Sequence, residues 1–303
     1  STGHCHPRVV EAAQRQVGTL IHAQYTTVMH RPLLDLVDRL GEVLPAGLDR
    51  MFFTNSGSEA VEAALRLARP ATGRPNVVVF HGGFHGRTVA AASMTTSGTK
   101  FRSGFSPLMA GVHVAPFPDP THFGWPVEQA TDFALAQLDY LLQTMSAPVD
   151  TAAFIVEPLV LGAGGMLMYP PAVLAKMQAI CAAHGTLFIA DEVMTAWGRT
   201  GTLTACEQAD GVPDIMCLSK GLTGGAMPLA PTWSQISRLM ITVADNGSSS
   251  LATALLKNTP PWLSSAKRLP WPSTMTPATA TMSIMGYGQR APLVIASAAS
   301  KWP

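Results

Sequence analysis

Apolar residues follow two kinds of spacing along this chain until about residue 230, and neither afterwards. Near the start they fall at helical intervals in PRVVEAAQRQVGTL and again in RPLLDLVDRLGEVLP, which stops at Pro45. Pro7 suits the first turn of a helix. Residues 1–45 therefore read as a helical segment. From residue 51 the period changes. Met51-Phe52-Phe53 is a short apolar run, Asn55 to Ser58 is a polar turn, and Glu59 to Arg69 is an alanine-rich helix. Its residues Ala60, Val61, Ala64, Leu65 and Ala68 share one side.

The strand–turn–helix unit then recurs. Val77 to Phe80 predicts a strand followed by the loop HGGFHGR. Ala153 to Val156 ends at Glu157-Pro158, Leu187 to Ala190 ends at Asp191-Glu192, and Ile215 to Leu218 ends at Ser219-Lys220. A helix is expected over 171–184, opened by Pro171 and closed at Gly185 in a left-handed cap. Unbroken apolar strands alternating with helices predict an α/β fold: a mostly parallel sheet covered by helices on both faces. Such sheets bind ligands beyond the carboxyl ends of their strands. Ser56, Ser58, His85, Glu157, Asp191 and Lys220 all gather at those ends.

The pattern fails from residue 231 onward. All but one of the 19 acidic residues lie before that point, the exception being Asp245. Ser, Thr and Pro dominate SSSLATALL and PSTMTPATATMS, which read as low-complexity sequence without signals for a packed fold. The expected organisation is thus a helical segment over 1–45, a main domain over 46–230, and an atypical tail over 231–303 that is not natively folded.

Composition adds limits. With 303 residues, 47% of them hydrophobic, the chain can bury a sizeable core. Net charge is +1, which gives no electrostatic reason to bind nucleic acid or an anionic membrane. No apolar run approaches the roughly 18 residues of a membrane helix. Cys5, Cys181, Cys206 and Cys217 are sparse and unpatterned, which favours a reducing cytoplasm. The start, STGHCHPRVV, lacks Met and reads as truncated. Its His4-Cys5-His6 cluster has no second ligand pair at useful spacing, so no metal is expected. GAGGM at 162–166 lacks the third glycine of a dinucleotide fingerprint.

The strand-end residues carry the chemistry. A lysine where a buried strand stops is costly as a cation, and desolvation would make its amine a nucleophile for a carbonyl. An aspartate at a neighbouring strand end can hold a protonated ring nitrogen. A Gly-Ser turn opening a helix offers N–H groups, a hydroxyl and the positive end of the helix dipole to a phosphate. Aldehyde, pyridinium nitrogen and phosphate together describe pyridoxal 5′-phosphate (PLP).

Six segments then carry a specific resemblance: GHCHPRVVEA, FFTNSGSEAVEAALRLAR, FHGGFHGRT, FIVEPLVLGAGGM, LFIADEVMTAWGRTG and PDIMCLSKGLTGG. In this order the chain resembles the class III, or ω-, aminotransferases among the fold-type I PLP enzymes, from residue 3 to about 230. The resemblance implies a Schiff-base lysine, Lys220, which also shuttles a proton. It implies that Asp191 pairs with the pyridine nitrogen and that Val193 and Phe84 pack on the ring's two faces. Gly57 and Ser58 would hold the phosphate, and His85 would support the pocket. Glu157 would sit on the substrate side and help switch between amino donors. The activity implied is transfer of an amino group from an ω-amino donor to an oxo acid or aldehyde, in a cytoplasmic homodimer.

The chain departs from the family pattern at two places. Met194 stands where many relatives have a glutamine near the cofactor's phenolic oxygen. The MCLSKGLTGGAMPLA segment resembles diaminopelargonate aminotransferases, whereas residues 80–118 resemble 4-aminobutyrate and acetylornithine types, so the substrate stays open. The family's partner-subunit phosphate threonine and its small C-terminal domain are not recognisable after residue 230. A frameshift there would account for the loss of pattern. Two alternatives remain: a non-catalytic PLP-binding fragment, and an aminomutase or racemase of the same fold.

Overall fold

The computed structural model describes residues 2–25, 27–144 and 150–236. Two amphipathic helices come first, α1 (Pro7–Val17) and α2 (Arg31–Val43). A seven-stranded sheet follows, built from β1 (Arg50–Thr54), β2 (Asn76–Phe80), β3 (Val112–Ala115), β4 (Thr151–Val156), β7 (Leu187–Asp191), β8 (Ile215–Cys217) and β9 (Ala230–Ser234). Between them lie α3 (Gly57–Thr72), α4 (Val89–Met94), α5 (Pro120–Phe123), α6 (Val127–Thr144) and α7 (Pro171–Ala183), with a small two-stranded pair, β5 (Val160–Leu161) and β6 (Leu167–Met168).

The spatial order of the large sheet is β1-β9-β8-β7-β4-β2-β3. The five strands β8, β7, β4, β2 and β3 pair in parallel, and β9 is antiparallel to both of its neighbours. The mostly parallel α/β architecture expected from the sequence is present.

Burial on two faces explains the unbroken apolar runs. In β2, Val77 and Val79 pack with Ala60, Val61, Ala64 and Leu65 of α3. The intervening Val78 and Phe80 join the opposite cluster, which takes in Leu138 of α6 and Leu174 and Met177 of α7. Side chains alternate along a strand, so a strand covered on both sides must be apolar at every position.

Helix α3 shows how the turn before it is set. Ser56 is its N-cap, and the Ser56 hydroxyl accepts from Glu59 N–H at 3.3 Å. The Glu59 carboxylate reaches back to accept from Asn55 N–H at 2.8 Å. This reciprocal capping satisfies two otherwise orphaned donors. The helix starts at Gly57, two residues before the expected Glu59, so Gly57 and Ser58 form its first turn.

Several boundaries differ from expectation. The main domain was expected to end near residue 230, yet β9 carries Pro231, Thr232, Trp233 and Ser234 into the sheet, all buried. Proline and a polar residue in a central strand hide it from a reading by propensity, because Pro has no N–H for the ladder. Its carbonyl still serves: Pro231 accepts from Leu218 N–H at 3.0 Å. Strand β3 and helix α6 were also not foreseen. Helix α7 ends one residue early, at Ala183, and Gly185 takes the expected left-handed conformation at φ 58°. The remaining part of the expected tail, 237–303, lies outside the described residues.

The central packing makes a direct prediction. Phe154 on β4 is fully buried, with its ring 5.0 Å from Phe80 and 6.0 Å from Phe188. Phe154→Ala should lower stability by about 3–5 kcal/mol, read from the urea unfolding midpoint.

Candidate active site

Four adjacent strands deliver four polar groups to one edge. β8 leads through Leu218 and Ser219 to Lys220, β7 ends in Asp191, β4 runs into Glu157, and β2 runs into the loop bearing His85. β1 reaches the same edge and opens α3 at Gly57.

Asp191 and His85 form the buried centre. His85 Nδ1 lies 2.8 Å from Asp191 Oδ2, with both side chains almost wholly enclosed. The other carboxylate oxygen, Oδ1, accepts from Val193 N–H at 3.2 Å. His85 is fixed in turn: its backbone N–H donates to Thr95 Oγ1 at 3.0 Å, and Gly86 N–H donates to the same oxygen at 3.2 Å. His85 Nε2 is buried without a hydrogen-bond partner. A histidine with Nδ1 committed to a carboxylate is held in a single orientation.

Glu157 lies beside this pair and is buried as well. Burial pushes its carboxyl up from the usual 4.5 to about 7; His85 opposes the rise and Asp191 adds to it. Its two oxygens accept from Phe84 N–H at 2.9 Å and Gly162 N–H at 3.1 Å. Its own carbonyl accepts from the Tyr169 hydroxyl at 3.0 Å. The resemblance implies a residue on the substrate side that helps switch between amino donors. Here each carboxylate oxygen is tied to a different backbone segment, so Glu157 acts as a clamp between the Phe84 loop and the turn after β4.

The cofactor-facing residues meet around Gly57. A Cβ at Gly57 would fall 2.7 Å from Val193 Cγ1, so the glycine permits close approach of α3 to the turn after β7. Ser58 Oγ accepts from Arg87 N–H at 3.2 Å, which joins α3 to the His85 loop. The first N–H groups of a helix have no partner within it and point outward. Phe84 is half-buried, its ring edge-on to Phe101 at 5.0 Å.

Lys220 differs from expectation in one respect. Desolvation at a strand end was expected, yet Lys220 is exposed. It opens a short 3-10 helix, Lys220–Thr223, and adopts φ 43°, a left-handed conformation uncommon for any residue but glycine. Three residues beyond the last position of β8 the chain has left the sheet, and Lys220 lines a cleft of about 590 Å³ instead of the core. Ser56, Gly57 and Arg199 line that cleft with it. A second groove, about 680 Å³ along β1 and α3, contains none of the eight predicted site residues.

Lys220 shares its cleft with Gly57, Gly57 lies close to Val193, and Val193 N–H donates to the Asp191 that holds His85. An amine, a buried carboxylate and an open helix N-terminus are the donor set that PLP requires. The buried, unpartnered His85 Nε2 also fits a bound group. Two further residues had no role assigned from sequence: Thr95, ten residues from the His85 it anchors, and Trp197, whose indole N–H donates to Ser219 O at 3.0 Å. Among the described residues no group of three or more His, Cys, Asp or Glu could hold a metal ion, and no helix is long and apolar enough to cross a membrane.

Comparison with known proteins agrees with this geometry. The family model described as Aminotransferase class-III matches residues 1–250. The chain is 41% identical to an adenosylmethionine-8-amino-7-oxononanoate aminotransferase from Synechococcus elongatus, over 76% of this chain and 54% of that protein. It is also 41% identical to an acetylornithine aminotransferase from Methanopyrus kandleri, over 76% of this chain and 53% of that protein. A PLP-bound amine transaminase structure from an uncultivated Pseudomonas species superposes with a TM-score of 0.72 at 30% identity, covering 78% of this chain and 55% of that one. The chain thus spans about half the length of the relatives it matches.

The state of Glu157 has a measurable signature. Because its folded pKa is raised, the folded chain holds this proton more tightly than the unfolded chain does. Its stabilising effect is full below about 4.5 and is lost as pH rises through about 7. Glu157→Gln cannot ionise and should flatten that dependence. Urea midpoints measured across this range should show the parent losing roughly 3 kcal/mol relative to the variant. Parallel profiles would contradict the assignment.

Proposed function

The chain belongs to the class-III aminotransferase family, whose cofactor is pyridoxal 5′-phosphate, and on that premise we propose that it transfers an amino group from an ω-amino donor to an oxo acid or aldehyde. The observation that carries this reading is the buried Asp191–His85 pair, one strand away from the lysine-bearing loop. A carboxylate enclosed to this degree without a fixed cation is costly unless hydrogen bonds hold its charge. Its partners, His85 Nδ1 and Val193 N–H, do so.

When bound, PLP supplies an electron sink for negative charge developing at the donor carbon. The roles proposed for the chain's own residues come from the resemblance, and their gathering at one end of adjacent strands supports them. Asp191 holds a proton at the ring nitrogen, and His85 keeps the carboxylate aimed. Gly57 and Ser58 present N–H groups and a hydroxyl to the phosphate at the positive end of α3. Val193 and Phe84 confine the ring and exclude water. Glu157 fixes the loop bearing Phe84. Lys220 Nζ would hold the cofactor and would serve as general base and acid toward the donor carbon.

The substrate class rests on sequence. The names of the two relatives differ in substrate, as do the two resembling segments, so the proposal is an ω-amino donor of the 4-aminobutyrate, acetylornithine or diaminopelargonate kind. The reading includes a cytoplasmic homodimer. In support, α1 has no buried residue, and the apolar side chains of Val17 and, just beyond the helix, Ile21 are 53% and 83% exposed.

Adding PLP to the purified chain should produce a new visible absorption band that bleaches with an ω-amino donor and returns with an oxo acid. Lys220→Ala should lack the band and lose about 10²–10⁴-fold in transfer rate. A band unchanged in Lys220→Ala, or one that no donor bleaches, would count against the proposal. Racemised or internally rearranged donor, with no amino group on the acceptor, would place the chain among the fold's racemases or mutases instead.

A further inference from the structure

Trp197 grips the chain on both sides of Lys220. Its indole Nε1–H donates to the carbonyl of Ser219 at 3.0 Å. Its ring lies against Gly221 so closely that a Cβ there would fall 2.6 Å from Cδ1 and 2.9 Å from Cγ. Trp197 is itself set in an unusual conformation, φ 65°, and its backbone N–H donates to Leu203 O at 2.6 Å. The loop that carries it is anchored at both ends by the buried Glu192, which accepts from the Thr195 hydroxyl and from Cys206 N–H.

The residue between the two grips is the one with φ 43°. A left-handed backbone at a non-glycine residue persists only where its surroundings fix it. Relaxation to the common right-handed region would swing the Cα–Cβ bond and carry the amine away from the cleft shared with Gly57. We propose that Trp197 is a positioning residue for Lys220: it holds the lysine backbone in the conformation that aims Nζ at the cofactor aldehyde. This rests on the reading of Lys220 as the cofactor-bearing amine.

The experiment separates aiming from folding. Full-length parent and Trp197→Phe are each incubated with PLP. Condensation of Lys220 Nζ with the aldehyde releases one water, and borohydride supplies the hydride that fixes the link as a secondary amine. Peptide mapping against time gives the rate at Lys220. In parallel, the Kd of pyridoxine 5′-phosphate, which has the ring and phosphate but no aldehyde, is measured on both proteins. Trp197→Phe keeps a ring against Gly221 and loses the N–H bond. The expected result is a Kd unchanged within about twofold and a labelling rate lower by about tenfold.

Gly221→Ala, which forces the indole aside from the other direction, should show the same split, and it carries the test if Trp197→Phe does not fold. Leu174→Ala, a fully buried change on α7 away from the site, controls for general destabilisation and should leave the labelling rate at the parent value. Equal labelling in parent and Trp197→Phe would overturn the positioning role. So would a parallel fall in rate and affinity, since that is what a loosened fold gives. Absence of label at Lys220 in the parent would remove the assignment of Lys220 itself.

Discussion

A parallel sheet buried on both faces leaves a charged side chain nowhere to sit except beyond the ends of its strands. Val77 to Phe80, Phe154 to Val156 and Phe188 to Ala190 each face a helical layer on one side or the other, so every interior position is apolar. Polar chemistry is displaced to the carboxyl edge. There the strand order β8-β7-β4-β2 places Lys220, Asp191, Glu157 and His85 along consecutive strands. The same constraint that makes the core stable assembles the site.

The cost of that placement falls on the carboxylates. Asp191, Glu157 and Glu192 are all buried within a short stretch of the edge, and none has a lysine or arginine partner among the described contacts. Backbone N–H groups and His85 compensate them. Asp191 takes His85 and Val193, Glu157 takes Phe84 and Gly162, and Glu192 takes Cys206 and the Thr195 hydroxyl. Bonds to backbone hold each carboxylate in place and tie separate loops together. The site is therefore preorganised before any ligand enters, the condition under which fixed charges act on a reaction without reorganising.

Lys220 is the counterexample to burial. It stands exposed in an open cleft with Arg199 and the start of α3, held by strain in its backbone and not by enclosure of its side chain. Trp197 contacts the residues on both sides of Lys220, Ser219 and Gly221. The chain covers about half the length of its matched relatives.

Periodicity alone determined the large features: the α/β class, five of the sheet's strands, α3 and α7, and the gathering of polar residues at strand ends. These are local patterns, because a strand buried twice and a helix buried once write different spacings. Six ordered motifs then identified the family and the residues to inspect. Contacts between distant segments were not legible. Strand β9 was missed because its place between β1 and β8 is fixed by pairing and not by propensity. Thr95 and Trp197 carry no local sign of the groups they hold. Glu157 could be recognised but not the partners of its carboxylate, which are N–H groups from two other segments. The sequence settled which chemical groups stand at the edge; the tertiary structure decided which are buried, which are tied and which is exposed, because burial and hydrogen bonding are properties of neighbours brought together by the fold.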